Sequence, residues 1–253
     1  MSTLREHWTT VDGLRVYAQV GTDYAGSAAH PIVLVHGYAV ASGYLLPTAR
    51  DLAAEHPVFV PDLPGSGKSD RPDRVLTLPE LADALAAWVD ANRIGEAVLL
   101  GQSFGCQIVA HFAVRRPDLV SALVLVGPTT DPAARSLPKL LWRLLKDIVR
   151  EHPMELLIAA RDYLRFGPRW ALKTARIMLR DRIEEVLPRV DAPVLVVRGE
   201  HDPIASPEWV EGLAAVARDG AWAVIPDGAH AVNFDEPDRL AAAVRRFLAE
   251  RAV

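Results

Sequence analysis

The sequence predicts an α/β fold: a mostly parallel central sheet with helices on both faces, an antiparallel hairpin at the N-terminus and a helical cap. Three observations predict it. Short, continuous apolar runs recur at residues 32–35, 58–60, 98–100, 123–126, 194–197 and 222–225. Such runs mark parallel strands covered on both faces, where a half-exposed sheet would alternate. Helical stretches separate them, giving β-then-α units with right-handed crossovers. One long segment, 128–187, interrupts this rhythm and holds no good strand candidate.

The elements follow in order. Residues 7–10 and 14–20 flank Asp12-Gly13, a strong hairpin signal because glycine tolerates positive φ. Residues 78–94 place Leu81, Leu85, Trp88 and Val89 on one side of a helix, as packing against a sheet requires. A second helix, 103–116, follows the run at 98–100. Helices at 207–218 and 237–252 close the chain, each with a proline near its start, where a missing N–H costs little. Segment 128–187 reads as helices over 139–150, 154–165 and 170–182. Inserted there, it lies over the C-terminal edge of the strands, where open α/β sheets bind ligands. The expected organisation is a core of 1–127 and 188–253 with an inserted cap of 128–187.

Composition narrows the function classes. The 253 residues, half of them hydrophobic, suffice for one sizeable core. A net charge of -4 argues against nucleic acid as a partner, because phosphate binding needs a basic face. The single cysteine, Cys106, rules out an internal disulfide and a cysteine-rich metal site. No apolar run reaches the ~18 residues of an integral membrane segment. The first ten residues, MSTLREHWTT, carry charges in place of an apolar targeting stretch, so a cytoplasmic location is expected.

The chemistry centres on Gly101-Gln102-Ser103-Phe104-Gly105. This is G-x-S-x-G set directly between a strand and a helix, which places Ser103 on a sharp turn with its hydroxyl above the sheet edge. The flanking glycines let neighbouring backbone approach. The simpler alternative is a helix N-cap serine. As nucleophile, the hydroxyl needs a base. Of eight histidines, His230 lies in the loop between the last strand and the last helix, which returns to the same sheet edge. His36, followed by Gly37, is a rival better read as shaping a loop; His201 is a second. An acid must orient the imidazole. Asp202 follows the strand at 194–197 and completes the chain order Ser103, Asp202, His230; Glu200 and Asp131 remain alternatives. Gly65-Ser66-Gly67-Lys68-Ser69 lacks the spacing of a phosphate loop.

With these residues, the chain resembles the α/β-hydrolase superfamily along nearly its whole length. The matching features are Val35-His36-Gly37-Tyr38, the stretch from Asp62 to Asp70, Gly101-Gln102-Ser103-Phe104-Gly105, Gly199-Glu200-His201-Asp202 and Gly228-Ala229-His230. It looks most like small capped serine esterases, haloperoxidase-like enzymes and meta-cleavage C–C hydrolases. The resemblance implies oxyanion-hole amides from Tyr38 and Phe104, each worth about 2.7–4 kcal/mol. It implies acyl transfer through Ser103, with no metal or organic cofactor. The residues differ from the pattern at Ser66 and Cys106, and the stretch after His36-Gly37 is poorer in glycine than in the C–C hydrolases.

The expected substrate is a small ester, lactone or thioester with an apolar acyl or aryl part. Tyr38, Gln102, Phe104, Trp142 and Tyr163 are candidate pocket residues. Between Arg135 and Arg182 stand twelve cations and five anions. These are read either as solvated helix faces or as an attractor for anionic substrates. Competing readings are a C–C bond hydrolase, a perhydrolase and a ligand receptor on the same scaffold. A homodimer is compatible with the sequence.

Overall fold

The computed structural model describes residues 3–22, 29–148 and 153–253. Eight strands form one sheet: β1 (Arg5–Val11), β2 (Leu14–Gly21), β3 (Ile32–Val35), β4 (Val58–Pro61), β5 (Ala97–Gln102), β6 (Val120–Val126), β7 (Val194–Gly199) and β8 (Gly220–Ile225). Their spatial order is β1-β2-β4-β3-β5-β6-β7-β8. The hairpin forms as expected, because Asp12 and Gly13 both take positive φ, +49° and +79°, as a two-residue turn demands. β2 runs antiparallel to β4, and the pairs from β4 to β8 are parallel.

Alternate strand residues feed two cores. Val33, Leu99, Leu123, Leu125 and Val196 face one way; Leu34, Val98, Leu100, Val124 and Val197 face the other. α1 (Leu46–Leu52) covers the second face, whereas α2 (Leu78–Ala91) and α3 (Phe104–Arg115) cover the first. At the start of α2, Thr77 and Glu80 form a capping box, which satisfies two backbone donors that the helix leaves free.

The insertion contributes α4 (Leu137–Ile148), α5 (Pro153–Phe166), α6 (Pro168–Arg180) and the short α7 (Ile183–Val186). The first three begin one or two residues earlier than the sequence suggests, because Pro138, Pro153 and Pro168 lie inside the first turn, where proline fits. Residues 149–152, the expected end of one cap helix and the turn after it, lie outside the described residues. α8 (Pro207–Val216), α9 (Val232–Asp235) and α10 (Pro237–Glu250) complete the chain, with α8 on the first face and α10 on the second.

One strand departs from expectation. The run at 222–225 suggests a strand buried on both faces, yet Trp222 is 49% and Val224 38% exposed. β8 is the last strand of the sheet, and only part of its surface is covered. Among the described residues, no helix is long and apolar enough to cross a membrane.

Candidate active site

Ser103 stands between the end of β5 and the start of α3, with φ +55° and ψ -117°. A non-glycine residue in this region is strained by ~1–3 kcal/mol and persists only where its surroundings enforce it. The enforcing contacts are backbone. A Cβ on Gly101 would lie 2.5 Å from the Gly105 carbonyl oxygen, and one on Gly105 would lie 2.3 Å from that of Val35. Only hydrogen at these positions permits so sharp a turn. The Ser103 amide donates to the Val126 carbonyl at 2.8 Å. Beneath the turn, the buried Cys106 thiol lies 3.1 Å from the Gly101 carbonyl oxygen. Burial raises its pKa.

The loop after β8 brings His230 Nε2 to 3.1 Å from Ser103 Oγ. Its Nδ1 lies 3.0 Å from Asp202 Oδ2. The other carboxylate oxygen, Asp202 Oδ1, accepts the amides of Ile204 and Ala205 at 2.7 and 3.1 Å. Buried Arg198 braces this turn, donating to the carbonyls of Ala205 and Asp202 at 2.8 and 3.0 Å. All three side chains, Ser103, Asp202 and His230, are buried. Burial alone would lower the imidazole pKa. Asp202, helped by Asp147 and Glu155, outweighs it and holds the group up at about 9. Such a chain can move a proton from the hydroxyl to the imidazole and stabilise the resulting cation.

The alternative residues sit elsewhere. His36 is buried; its Nε2 accepts the Leu63 amide at 3.0 Å, so its Nδ1 donates to the Gly37 carbonyl at 3.0 Å. Burial lowers its pKa, which suits a neutral ring locking two loops together. Asp131 pairs with Arg143 at 2.8 Å. Glu200 and His201 are exposed; with Asp227 they bring candidate ligand atoms within 4.8 Å of one another, outside the cavity described below. Asp62 holds the loop beside Gly37 by accepting the amides of Ser42 and Lys68, both at 2.7 Å.

Gly37 approaches Ser103 closely: a Cβ there would lie 3.0 Å from Ser103 Cβ and 2.5 Å from Gln102 Oε1. Tyr38 follows Gly37 directly in the chain and lines the cavity above Ser103. Phe104 is the first residue of α3, and the first amides of a helix have no acceptor within it.

A cavity of about 740 Å³ opens above Ser103 and His230. Tyr38, Gln102 and Tyr163 line it, together with Leu140, Leu144 and Leu156 from α4 and α5. Two expected pocket residues do not. Trp142 is 60% exposed with the Lys146 ammonium 5.1 Å from its ring centroid; it lies two residues, or about 200°, around the helix from Leu140. The Phe104 side chain is buried beneath the site and lines a separate small cavity with His36, Leu63 and Phe166.

Sequence reasoning missed several residues of this site. Gly127, at φ +56°, lies so close that a Cβ would be 2.9 Å from His230 Cε1 and Nδ1; a glycine ending a strand was the available signal. Asp147 and Glu155 also line the cavity, both buried. In sequence they are ordinary charges on amphipathic helices. Asp147 Oδ1 accepts the His230 amide at 3.3 Å. Burial, then the charges of Asp235 and Asp147, push Glu155 up to about 7, against a hydrogen bond from Tyr44 and the charge of His230.

Comparison with known proteins fits this arrangement. A pimeloyl-[acyl-carrier protein] methyl ester esterase of Stenotrophomonas maltophilia (strain R551-3) is 29% identical over 245 residues, covering 86% of this chain and 92% of that protein. Esterase YbfF of Escherichia coli (strain K12) is 25% identical over 244 residues, with the same coverage of 86% and 92%. The structure of a thermophilic esterase from Thermogutta terrifontis superposes with a TM-score of 0.81 at 24% identity, covering 98% of this chain and 100% of that one; this likeness bears on the fold alone. The sequence pattern of the Alpha/beta hydrolase family spans residues 32–243, and the chain belongs to that family.

Proposed function

We propose that the protein hydrolyses carboxylic esters through an acyl-enzyme on Ser103. The observation that carries this reading is the continuous path from Asp202 through His230 to Ser103, at 3.0 and 3.1 Å, ending at the floor of an apolar cavity. Two relatives that align over 86% of the chain are named as esterases.

In the proposed reaction, Ser103 Oγ attacks the carbonyl carbon while its proton passes to His230 Nε2. The tetrahedral oxygen takes hydrogen bonds from the Tyr38 and Phe104 amides. Collapse breaks the bond to the alcohol, whose oxygen receives the proton from His230. Water then gives a proton to the same imidazole and attacks the acyl carbon; collapse breaks the acyl–Oγ bond, His230 Nε2 returns the proton to Ser103 Oγ, and the acid is released. Asp202, held by two amides, keeps the imidazole oriented with its proton on Nδ1. The raised pKa of His230 favours its charged form at each transfer, while reducing the fraction ready to act as base at neutral pH. The leucines of α4 and α5 suit an apolar acyl chain.

The test is turnover of p-nitrophenyl esters from acetate to decanoate by wild type and Ser103→Ala. Turnover abolished by the substitution supports the reading, and the chain-length optimum measures the cavity. A folded wild type inert on every ester but active on a ring-cleavage dienoate overturns it in favour of C–C hydrolysis.

A further inference from the structure

We propose that Asp147 and Glu155 form a subsite for a cationic leaving group, so that the preferred substrates are esters of amino alcohols. This rests on the ester-hydrolase reading above and adds the chemical class of the alcohol.

The two carboxylates come from adjacent cap helices, α4 and α5, and line the same cavity as Ser103 and His230. Glu155 is only 4% exposed. Tyr44 supplies it one hydrogen bond, but its Oε2 is fully buried with no donor among the described residues. A buried acceptor without a donor is costly, and a ligand that brings a positive donor or charge removes the cost. Among the described residues, no lysine or arginine lines the cavity. Lys139, Lys146, Arg161, Arg165, Arg169, Lys173, Arg176, Arg180 and Arg182 of the insertion are exposed, whereas the carboxylates that line the cavity are Asp147 and Glu155. Anionic substrates are therefore disfavoured inside, which counts against the reading of the cap as an attractor for them and leaves that of solvated helix faces.

Position assigns the pair to the leaving group. His230 must deliver its proton to the departing oxygen, so the alcohol lies on the His230 side of the scissile carbon. Asp147 contacts the His230 amide, and Glu155 is near enough for its charge to act on the imidazole. Tyr38 and Tyr163 line the same cavity, and aromatic rings attract quaternary ammonium groups. The acidic groups facing Glu155 are Asp147 of α4 and Asp235 of α9, with Tyr44 and His230 completing its surroundings. A bound cation stabilises the ionised form of Glu155, so preference for a cationic alcohol grows as pH rises through about 7.

The experiment compares butyrylcholine with 3,3-dimethylbutyl butyrate, which has the same shape with carbon in place of the ammonium nitrogen. The readout is the ratio of their kcat/KM values within one protein, in which the shared protonation of His230 cancels. Screened attraction between a cation and a nearby carboxylate predicts a ratio of about 10 to 100 for wild type at pH 8. The ratio is expected to fall towards about 1 in the Asp147→Asn/Glu155→Gln double variant. A wild-type ratio near or below 1, or a ratio unchanged in the double variant, overturns the subsite. Should the variant not fold, calorimetry on wild type decides. Choline binding more tightly than 3,3-dimethylbutanol supports the subsite; equal or weaker binding overturns it. This binding arm needs no turnover, so failure of the hydrolase reading and failure of the subsite are separable.

Discussion

Replacing Gly127 with alanine tests whether the position of His230 is set by backbone packing. The added methyl would sit 2.9 Å from His230 Cε1 and Nδ1 and 3.3 Å from Asp202 Oδ2. Ordinary contact begins near 3.4 Å, so the imidazole must retreat by roughly 0.5 Å. A misplacement of ~1 Å at reacting groups costs on the order of 100-fold, which puts the loss in kcat at about 10- to 100-fold. The alanine would also have to hold φ near +56°, at ~1–2 kcal/mol. At ~2–4 °C per kcal/mol for a chain of this size, Tm falls by about 2–8 °C. The assay pairs kcat and KM on a p-nitrophenyl ester with thermal unfolding followed by circular dichroism. The loss should fall on kcat, with KM little changed. A folded Gly127→Ala protein with kcat within about twofold of wild type would refute the reasoning, since it would mean that ~0.5 Å at the base is tolerated.

Further predictions follow from the same geometry. Asp202→Asn should lower kcat by about 10⁴: Ile204 and Ala205 both donate to Oδ1, so the new amide turns its NH2 towards His230 and forces the ring proton onto Nε2, facing Ser103. Steady-state kinetics check this, and a loss under tenfold would count against it. The pH dependence of kcat/KM should rise along a limb displaced above the ordinary imidazole value, towards about 9, because only neutral His230 accepts the serine proton. Asp147→Asn should move that limb to lower pH; an identical limb would contradict the assigned cause. Gly212 lies inside α8, and a Cβ there would meet nothing within 4 Å. As alanine it should gain about 0.5–1 kcal/mol, read as a raised midpoint in urea.

The parts of the fold legible in the sequence are those fixed by local chemistry. Gly101 and Gly105 announce the turn because only glycine fits where two backbones touch. Asp12-Gly13 announces the hairpin because both residues need positive φ. The buried strands β3, β5, β6 and β7 appear as unbroken apolar runs because both faces are covered. The cap was less legible. Its helices were visible, but which face each turns inward depends on how they dock. Trp142 therefore looked like a pocket residue although it faces outward, whereas Asp147 and Glu155 looked like solvated charges although they are buried. β8 misled for a related reason: an apolar run does not reveal that its strand ends the sheet.

The buried thiol under the Ser103 turn has a practical consequence. Cys106 is the only cysteine among 253 residues, fully enclosed and with its pKa raised by burial, so alkylating reagents that need a thiolate pass it by. Cysteines introduced on the outer faces of α4 and α10 could then carry spectroscopic labels without removal of the native one. The separation of cap and core could be followed in solution with an otherwise unaltered chain.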